Sequence, residues 1–231
     1  MNPNNYIVAT IKPWNIDQFH HVKDTLPGNW HLVTDHTELT LELLEKLAPR
    51  YIFFPHWSWI VPSEILDRWE CVCFHMADVP YGRGGSPLQN LIVRGHKETK
   101  LSALQMVREL DAGPVYTKVP LSLSGAAQDI FHRMAPLMFD LARDIAINEP
   151  EPQEQGGEVM TFKRRTPEQS ALPSEGNIST LYDHIRMLDA ETYPTAFLQY
   201  GEFRLEFSQA EVDINGRLNT RVSIIKNEQS K

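Results

Sequence analysis

Cysteine is nearly missing from this chain: its 231 residues include only Cys71 and Cys73. Two positions apart on one strand, their side chains share a face with Cα atoms roughly 6.6 Å apart and near-parallel Cβ vectors, a poor disulfide geometry. Two reduced structural thiols are expected instead. Long hydrophobic runs are missing too. No stretch approaches the roughly 20 apolar residues of a membrane span. The opening Met1-Asn2-Pro3-Asn4-Asn5 has neither the charged nor the apolar region of a signal peptide, so the chain reads as cytoplasmic with no membrane partner. Positive charge is in deficit. With 22 Lys and Arg against 30 Asp and Glu, the net charge is −8, the wrong balance for gripping a nucleic acid. No G-x-G-x-x-G follows the first apolar run and no G-x-x-x-x-G-K-[ST] occurs, so dinucleotide and P-loop sites lack support. The nine histidines are scattered, with no H-x-x-x-H pair and no C-x-x-C beside them, and no metal is expected.

What is present reads as a globular α/β chain, one main domain with a small appendage. Apolar runs at Tyr6 to Ile11, Trp30 to Val33, Tyr51 to Phe54 and Cys71 to Phe74 alternate with helical patterns at Trp14 to Leu26, Thr40 to Leu47 and Ser63 to Arg68. That alternation predicts a Rossmann-like, mostly parallel sheet flanked by helices. A strand at Val115 to Leu121 and a long helix opened by Ser124 or Gly125 follow. The helix carries Ile130, Met134, Leu137, Met138, Leu141 and Ile145 at core spacing. The Pro-, Glu- and Gly-rich Asn148 to Gly157 marks a boundary between a catalytic domain at 1–150 and a small C-terminal α+β/β region at 151–231. In that region a helix near Ile178 to Leu188 and strands at Phe197 to Tyr200, Phe203 to Phe207 and Arg221 to Ile225 are expected, with a homodimer contact as one use of the small sheet.

In open α/β sheets ligands sit outside the carboxyl ends of the strands. His75 ends the fourth strand, and Trp57-Ser58-Trp59-Ile60-Val61 forms the loop beyond the third. Pro80-Tyr81-Gly82-Arg83-Gly84-Gly85-Ser86-Pro87 reads as a rigid turn, and Asp111 lies in Leu110-Asp111-Ala112-Gly113-Pro114. An imidazole at a strand tip and a carboxylate beside a Gly-Pro turn make a candidate acid/base pair.

These residues resemble the folate-dependent formyltransferase family. The family pattern Asn-x-His-x-S-x-L-P-x-Y-R-G-x-x-P, followed by L-D-x-G-x-I, lies over Cys73-Phe74-His75, then Pro80, Arg83, Gly84 and Pro87, then Leu110 to Val115. Downstream, Lys163-Arg164-Arg165-Thr166-Pro167, Ile185-Arg186 and Tyr193-Pro194-Thr195-Ala196-Phe197 resemble R-R-x-P, I-R-A and Y-P-G-A-F. The resemblance implies transfer of a formyl group from N10-formyltetrahydrofolate to an amine. It implies His75, Asp111 and Cys73 as catalytic positions, and Trp57, Trp59, Ile60, Val61, Leu110 and Asp111 around the folate. Arg83, Gly84, Ser86, Pro87, Tyr193 and Phe197 would face the substrate.

Cys73 stands where the family has Asn, an oxyanion donor, and a thiol is a weak one. Asn90, a loop N–H or a protonated His75 are the candidate replacements. Ala77 and Gly82 replace the family's Ser and Tyr. Methionyl-tRNA formyltransferases are normally longer, with a basic surface for tRNA, and this acidic chain fits them poorly. The strings Phe74 to Asn90 and Ile185 to Asp189 resemble bacterial enzymes that formylate a UDP-linked 4-amino-4,6-dideoxy sugar on the way to pseudaminic-type acids. A nucleotide sugar is thus the expected small-molecule partner. A silent folate or nucleotide-sugar binding protein and a formyltetrahydrofolate hydrolase stay open.

Overall fold

The computed structural model describes residues 4–227. In chain order the elements are β1 (Asn5–Ala9), α1 (Pro13–Val22), β2 (Asn29–Val33), α2 (Leu41–Leu47), β3 (Tyr51–Phe54), α3 (Ser63–Arg68) and β4 (Cys71–His75). Then come β5 (Tyr81–Gly84), α4 (Pro87–Val93), β6 (Glu98–Gln105), β7 (Val115–Ser122), α5 (Ala127–Asn148) and β8 (Met160–Phe162). The chain closes with α6 (Ile178–Arg186), β9 (Ala196–Tyr200), β10 (Phe203–Val212) and β11 (Leu218–Lys226). These fall into two interleaved compact units, one of Met1–Gly84, Thr99–Leu121 and His132–Thr161, the other of Gly85–Glu98, Ser122–Phe131 and Phe162–Lys231.

The first unit is built on a sheet of order β2-β1-β3-β4-β6-β7. The pairs β1–β2, β1–β3 and β3–β4 are parallel, and β6 runs antiparallel to β4. Strands covered on both faces read as continuous apolar runs, and Tyr51-Ile52-Phe53-Phe54 is buried at every position. Because side chains alternate across the pleat, Ile7, Ala9, Ile52, Phe54 and Cys71 share one face with Leu44 of α2 and Ile65 of α3. Val8, Phe53 and Phe74 turn the other way, toward Met138, Phe139 and Ala142 of α5. Thr40 caps α2, its hydroxyl accepting from Leu43 N at 3.2 Å. The mostly parallel α/β sheet is the one the apolar runs lead to.

The second unit carries the antiparallel sheet β11-β10-β9 and α6. Asn177 caps α6, accepting from Thr180 N at 2.9 Å. Buried Arg186 donates to the carbonyls of Leu123 (2.6 Å) and Gly125 (2.8 Å) and pairs with Asp183 at 2.6 Å. A buried cation is tolerated only with such a full set of acceptors.

Three differences from the sequence expectations stand out. The turn expected over Gly82 to Gly84 is the short strand β5, whose Gly82 and Gly84 take φ values of +84° and +101°. Pro87 to Val93 forms α4, and Glu98 to Gln105 forms β6, which has no counterpart among the expected strands. In β6 the sequence Glu-Thr-Lys-Leu-Ser-Ala-Leu-Gln buries Leu101 to Leu104 in succession, so neither strict alternation nor a long apolar run marks it.

Candidate active site

β4 delivers His75 as its last residue, with its side chain 8% exposed. The imidazole Nε2 lies 2.7 Å from the carbonyl oxygen of Gly82. A carbonyl can only accept, so Nε2 carries a hydrogen and Nδ1 is the nitrogen turned toward Asp111. Nδ1 stands 3.5 Å from Asp111 Oδ2, and that carboxylate is 10% exposed. Apo pairs of this kind are often long and close when substrate arrives.

Asp111 sits in a left-handed conformation, φ +54°, which Asp tolerates better than most residues. Its Oδ2 accepts from Gly84 N at 2.9 Å. The turn can be this tight because residue 113 is glycine: a Cβ there would lie 1.8 Å from the Gln105 carbonyl oxygen. Gln155 Nε2 donates to the carbonyls of Asp111 (2.8 Å) and Gly113 (2.7 Å), while its Oε1 accepts from Arg83 Nε at 3.0 Å.

The loop from β4 to β5 is anchored independently. Ser102 Oγ donates to Ala77 O at 2.7 Å, and Lys118 Nζ donates to Asp78 at 2.6 Å and to Val79 O. Lys100 adds an ion pair to Asp78 at 2.9 Å. Burial works to raise the Asp78 carboxyl, but Lys118 and Lys100 outweigh it and hold the group below its ordinary value.

Cys73 lies on the same face of β4 as His75 and pairs with Leu104 of β6 and Phe54 of β3. Burial first, and the Asp111 carboxylate second, push its thiol up. Cys71 is pushed up to about 12, again chiefly by burial. Both thiols are free.

Asn90 does not stand in as an oxyanion donor. Its Nδ2 faces the carbonyls of Gly85 (3.0 Å), Ser86 (3.1 Å) and Lys163 (3.0 Å), and Arg94 donates to its Oδ1 at 3.0 Å. An amide with two hydrogens has none left over for a ligand. Ser86 Oγ accepts from Arg165 N at 3.1 Å, and Pro87 opens α4. Tyr193 stacks on Phe131 at 5.2 Å, and the Arg204 guanidinium lies 3.7 Å over the Phe197 ring. These four expected substrate positions belong to the second unit.

Beyond β3, Trp57 packs between Phe54 (5.8 Å) and Trp59 (5.0 Å), and Trp59 stacks on His36 at 4.6 Å and 19°. Ile60 is 94% and Leu110 68% exposed, whereas Val61 is buried in the core. Trp59 with His36 therefore offers a flat ring pair, and Ile60 and Leu110 offer free apolar surface. His56, one residue past Pro55, accepts through Nδ1 from Trp14 Nε1 (3.4 Å) and Asn15 Nδ2 (3.2 Å). Burial, then the charge of Lys12, lower its imidazole to about 3.

Sequence reasoning missed Gln155, His36 and the Gly82 carbonyl. Gln155 lies in a stretch whose composition reads as linker, and no local pattern marks a backbone carbonyl as a histidine partner. Among the described residues no group of three or more His, Cys, Asp or Glu side chains is arranged to hold a metal. No described helix is long and apolar enough to cross a membrane.

Comparison with known proteins places this geometry among relatives. The family described as the methionyl-tRNA formyltransferase C-terminal domain matches residues 167–225. A solved methionyl-tRNA formyltransferase from Clostridium thermocellum is 45% identical, covers 97% of this chain and 100% of its own, and superposes with a TM-score of 0.94. The curated methionyl-tRNA formyltransferase of Lysinibacillus sphaericus (strain C3-41) is 27% identical over 71% of this chain and 56% of its own length. The chain thus spans little more than half of that curated relative. A solved 4-N formyltransferase from Francisella tularensis shares the fold at 13% identity, with a TM-score of 0.67 over 98% of both chains.

Proposed function

The chain belongs to the formyltransferase family, and on that footing we propose that it moves a formyl group from N10-formyltetrahydrofolate to a primary amine at His75 and Asp111. One observation carries the reading: a buried imidazole at the tip of β4 with a carboxylate 3.5 Å from its Nδ1. The amine nitrogen bonds to the formyl carbon and an oxyanion forms. The bond from that carbon to N10 then breaks, while one proton passes from the amine to N10. His75 shuttles that proton or steadies the oxyanion, and Asp111 holds the ring in register. The exposed Trp59–His36 stack with Ile60 and Leu110 suits a flat heteroaromatic co-substrate.

For the acceptor, the favoured reading is the amine of a nucleotide-linked, UDP-type 4-amino-4,6-dideoxy sugar. The net charge of −8 supports a small ligand over a nucleic acid, and the Francisella tularensis enzyme is a 4-N formyltransferase of the same fold. Methionyl-tRNA is the second reading, favoured by the name of the Clostridium thermocellum relative. The Clostridium thermocellum and Lysinibacillus sphaericus relatives carry that name, and no relative named above carries one from pseudaminic-type acid synthesis, so the pathway expectation is not carried forward.

The test is a mass-shift assay with N10-formyltetrahydrofolate and a panel of UDP-, dTDP- and GDP-linked 4-amino sugars alongside methionyl-tRNA. One formyl group gained by a single sugar nucleotide supports the first reading; a gain only on methionyl-tRNA replaces it with the second. Loss of formyl from the folate without any formylated amine would overturn both in favour of hydrolysis.

A further inference from the structure

Two glycines of β5 bond the two candidate reacting groups. The Gly82 carbonyl accepts from His75 Nε2, and Gly84 N donates to Asp111 Oδ2. Between them, Arg83 Nε donates to Gln155 Oε1, and Gln155 Nε2 reaches back to the carbonyls of Asp111 and Gly113. The ring of bonds closes on itself. Each polar atom of the Gln155 amide has a role that no other orientation satisfies: turned over, its oxygen would face two carbonyl oxygens and its N–H groups would face an Arg N–H.

Gln155 is itself held in place. Gln153 exchanges both backbone bonds with Val115 at the start of β7, at 2.7 and 2.8 Å. The stretch whose composition reads as linker is thus docked on the sheet, with one side chain under the Asp111 turn. That turn needs outside support, because Asp111 holds a positive φ and Gly113 is pressed against β6.

We infer that Gln155 is a positioning residue, which fixes the Asp111 carboxylate opposite His75 Nδ1 by bonding the backbone of its turn. The inference rests on the pair being the reacting groups, and the Gln155 amide bonds Arg83 and the backbone of the turn, not the reacting side chains themselves. Arg83 is in consequence a partner of this brace through its Nε, whatever its outer nitrogens meet.

Two variants test this. Gln155→Ala removes the whole brace. Gln155→Glu keeps an oxygen for Arg83 but offers no donor to the two carbonyls. If the donors matter, both variants speed hydrogen exchange of the Gly84 amide by about tenfold or more, while the core amides of β1 and β3 keep their protection. Both lower kcat about tenfold with KM for folate and amine within about twofold, and neither lowers it further in an Asp111→Ala background. Gly84 exchange unchanged in both variants, or a Gln155→Glu protein indistinguishable from wild type, would overturn the inference. Should the wild-type chain transfer no formyl group while Gly84 exchange responds as stated, the proposed function fails and the brace stands.

Discussion

His75 Nδ1 and Asp111 Oδ2 stand 3.5 Å apart, both nearly sealed from solvent, with Gly84 N already bonded to the same carboxylate oxygen. His75→Asn and Asp111→Ala are each expected to lower kcat for formyl transfer by about 10²–10⁴, the usual worth of a placed acid/base group. Steady-state kinetics decide it. Losses below about tenfold in both would remove the pair from the chemistry.

Cys73 faces the same carboxylate, and burial together with that charge keeps its thiol protonated. Ellman's reagent at pH 8 should therefore leave Cys71 and Cys73 of the folded protein unreacted and label both after denaturation. A protonated thiol is a weak donor, so Cys73→Asn is expected to raise turnover or leave it unchanged. A drop of more than about tenfold would mean that the thiol itself is needed.

Asn90 is the opposite case: a polar side chain whose bonds are all internal. Asn90→Leu strands the carbonyls of Gly85, Ser86 and Lys163 together. It is expected to cost about 2–3 kcal/mol of stability, read as a lower urea midpoint. In the protein that remains folded, kcat should stay within about threefold. A larger kinetic loss without a stability change would return Asn90 to the list of oxyanion donors.

His56 supplies a pH dependence. Its imidazole is held neutral, at about 3 against an ordinary 6.5, chiefly by burial and then by Lys12. The unfolded chain takes up this proton below pH 6.5 and the folded chain does not, so the stability is present above 6.5 and lost as pH falls toward 3. His56 has a φ of +55°, which Asn accommodates, so His56→Asn removes the titration without backbone strain. The fall in melting temperature between pH 7 and pH 4.5 should be smaller in this variant than in wild type. Equal falls would exclude His56 as a source of the acid sensitivity.

Much of the parallel half of the sheet could be read directly, because Tyr51-Ile52-Phe53-Phe54 and its neighbours are buried on both faces and therefore continuously apolar. His75 and Asp111, which the fold brings within 3.5 Å of each other, draw notice in the sequence for a different reason: His75 ends the apolar run Val72 to Phe74, and Asp111 lies in the turn before Gly113-Pro114. β6 was not legible, since it buries four consecutive residues yet starts with Glu98 and Lys100. Gln155 was invisible for a third reason. Its role depends on a backbone bridge between Gln153 and Val115, and nothing in the composition of Asn148 to Gly157 encodes that docking.

The interleaving of the two compact units has a consequence for how the chain comes into being. Gly85–Glu98 and Ser122–Phe131 are made early but belong with Phe162–Lys231. On a ribosome, Asn90 waits for the Lys163 carbonyl, and the carbonyls of Leu123 and Gly125 wait for Arg186. The early segments of the second unit therefore find these partners only after Lys163 and Arg186 have emerged. A fragment cut at residue 150 would expose its unpaired segments to proteases, and insertions between the units are tolerated only where they leave this return path open.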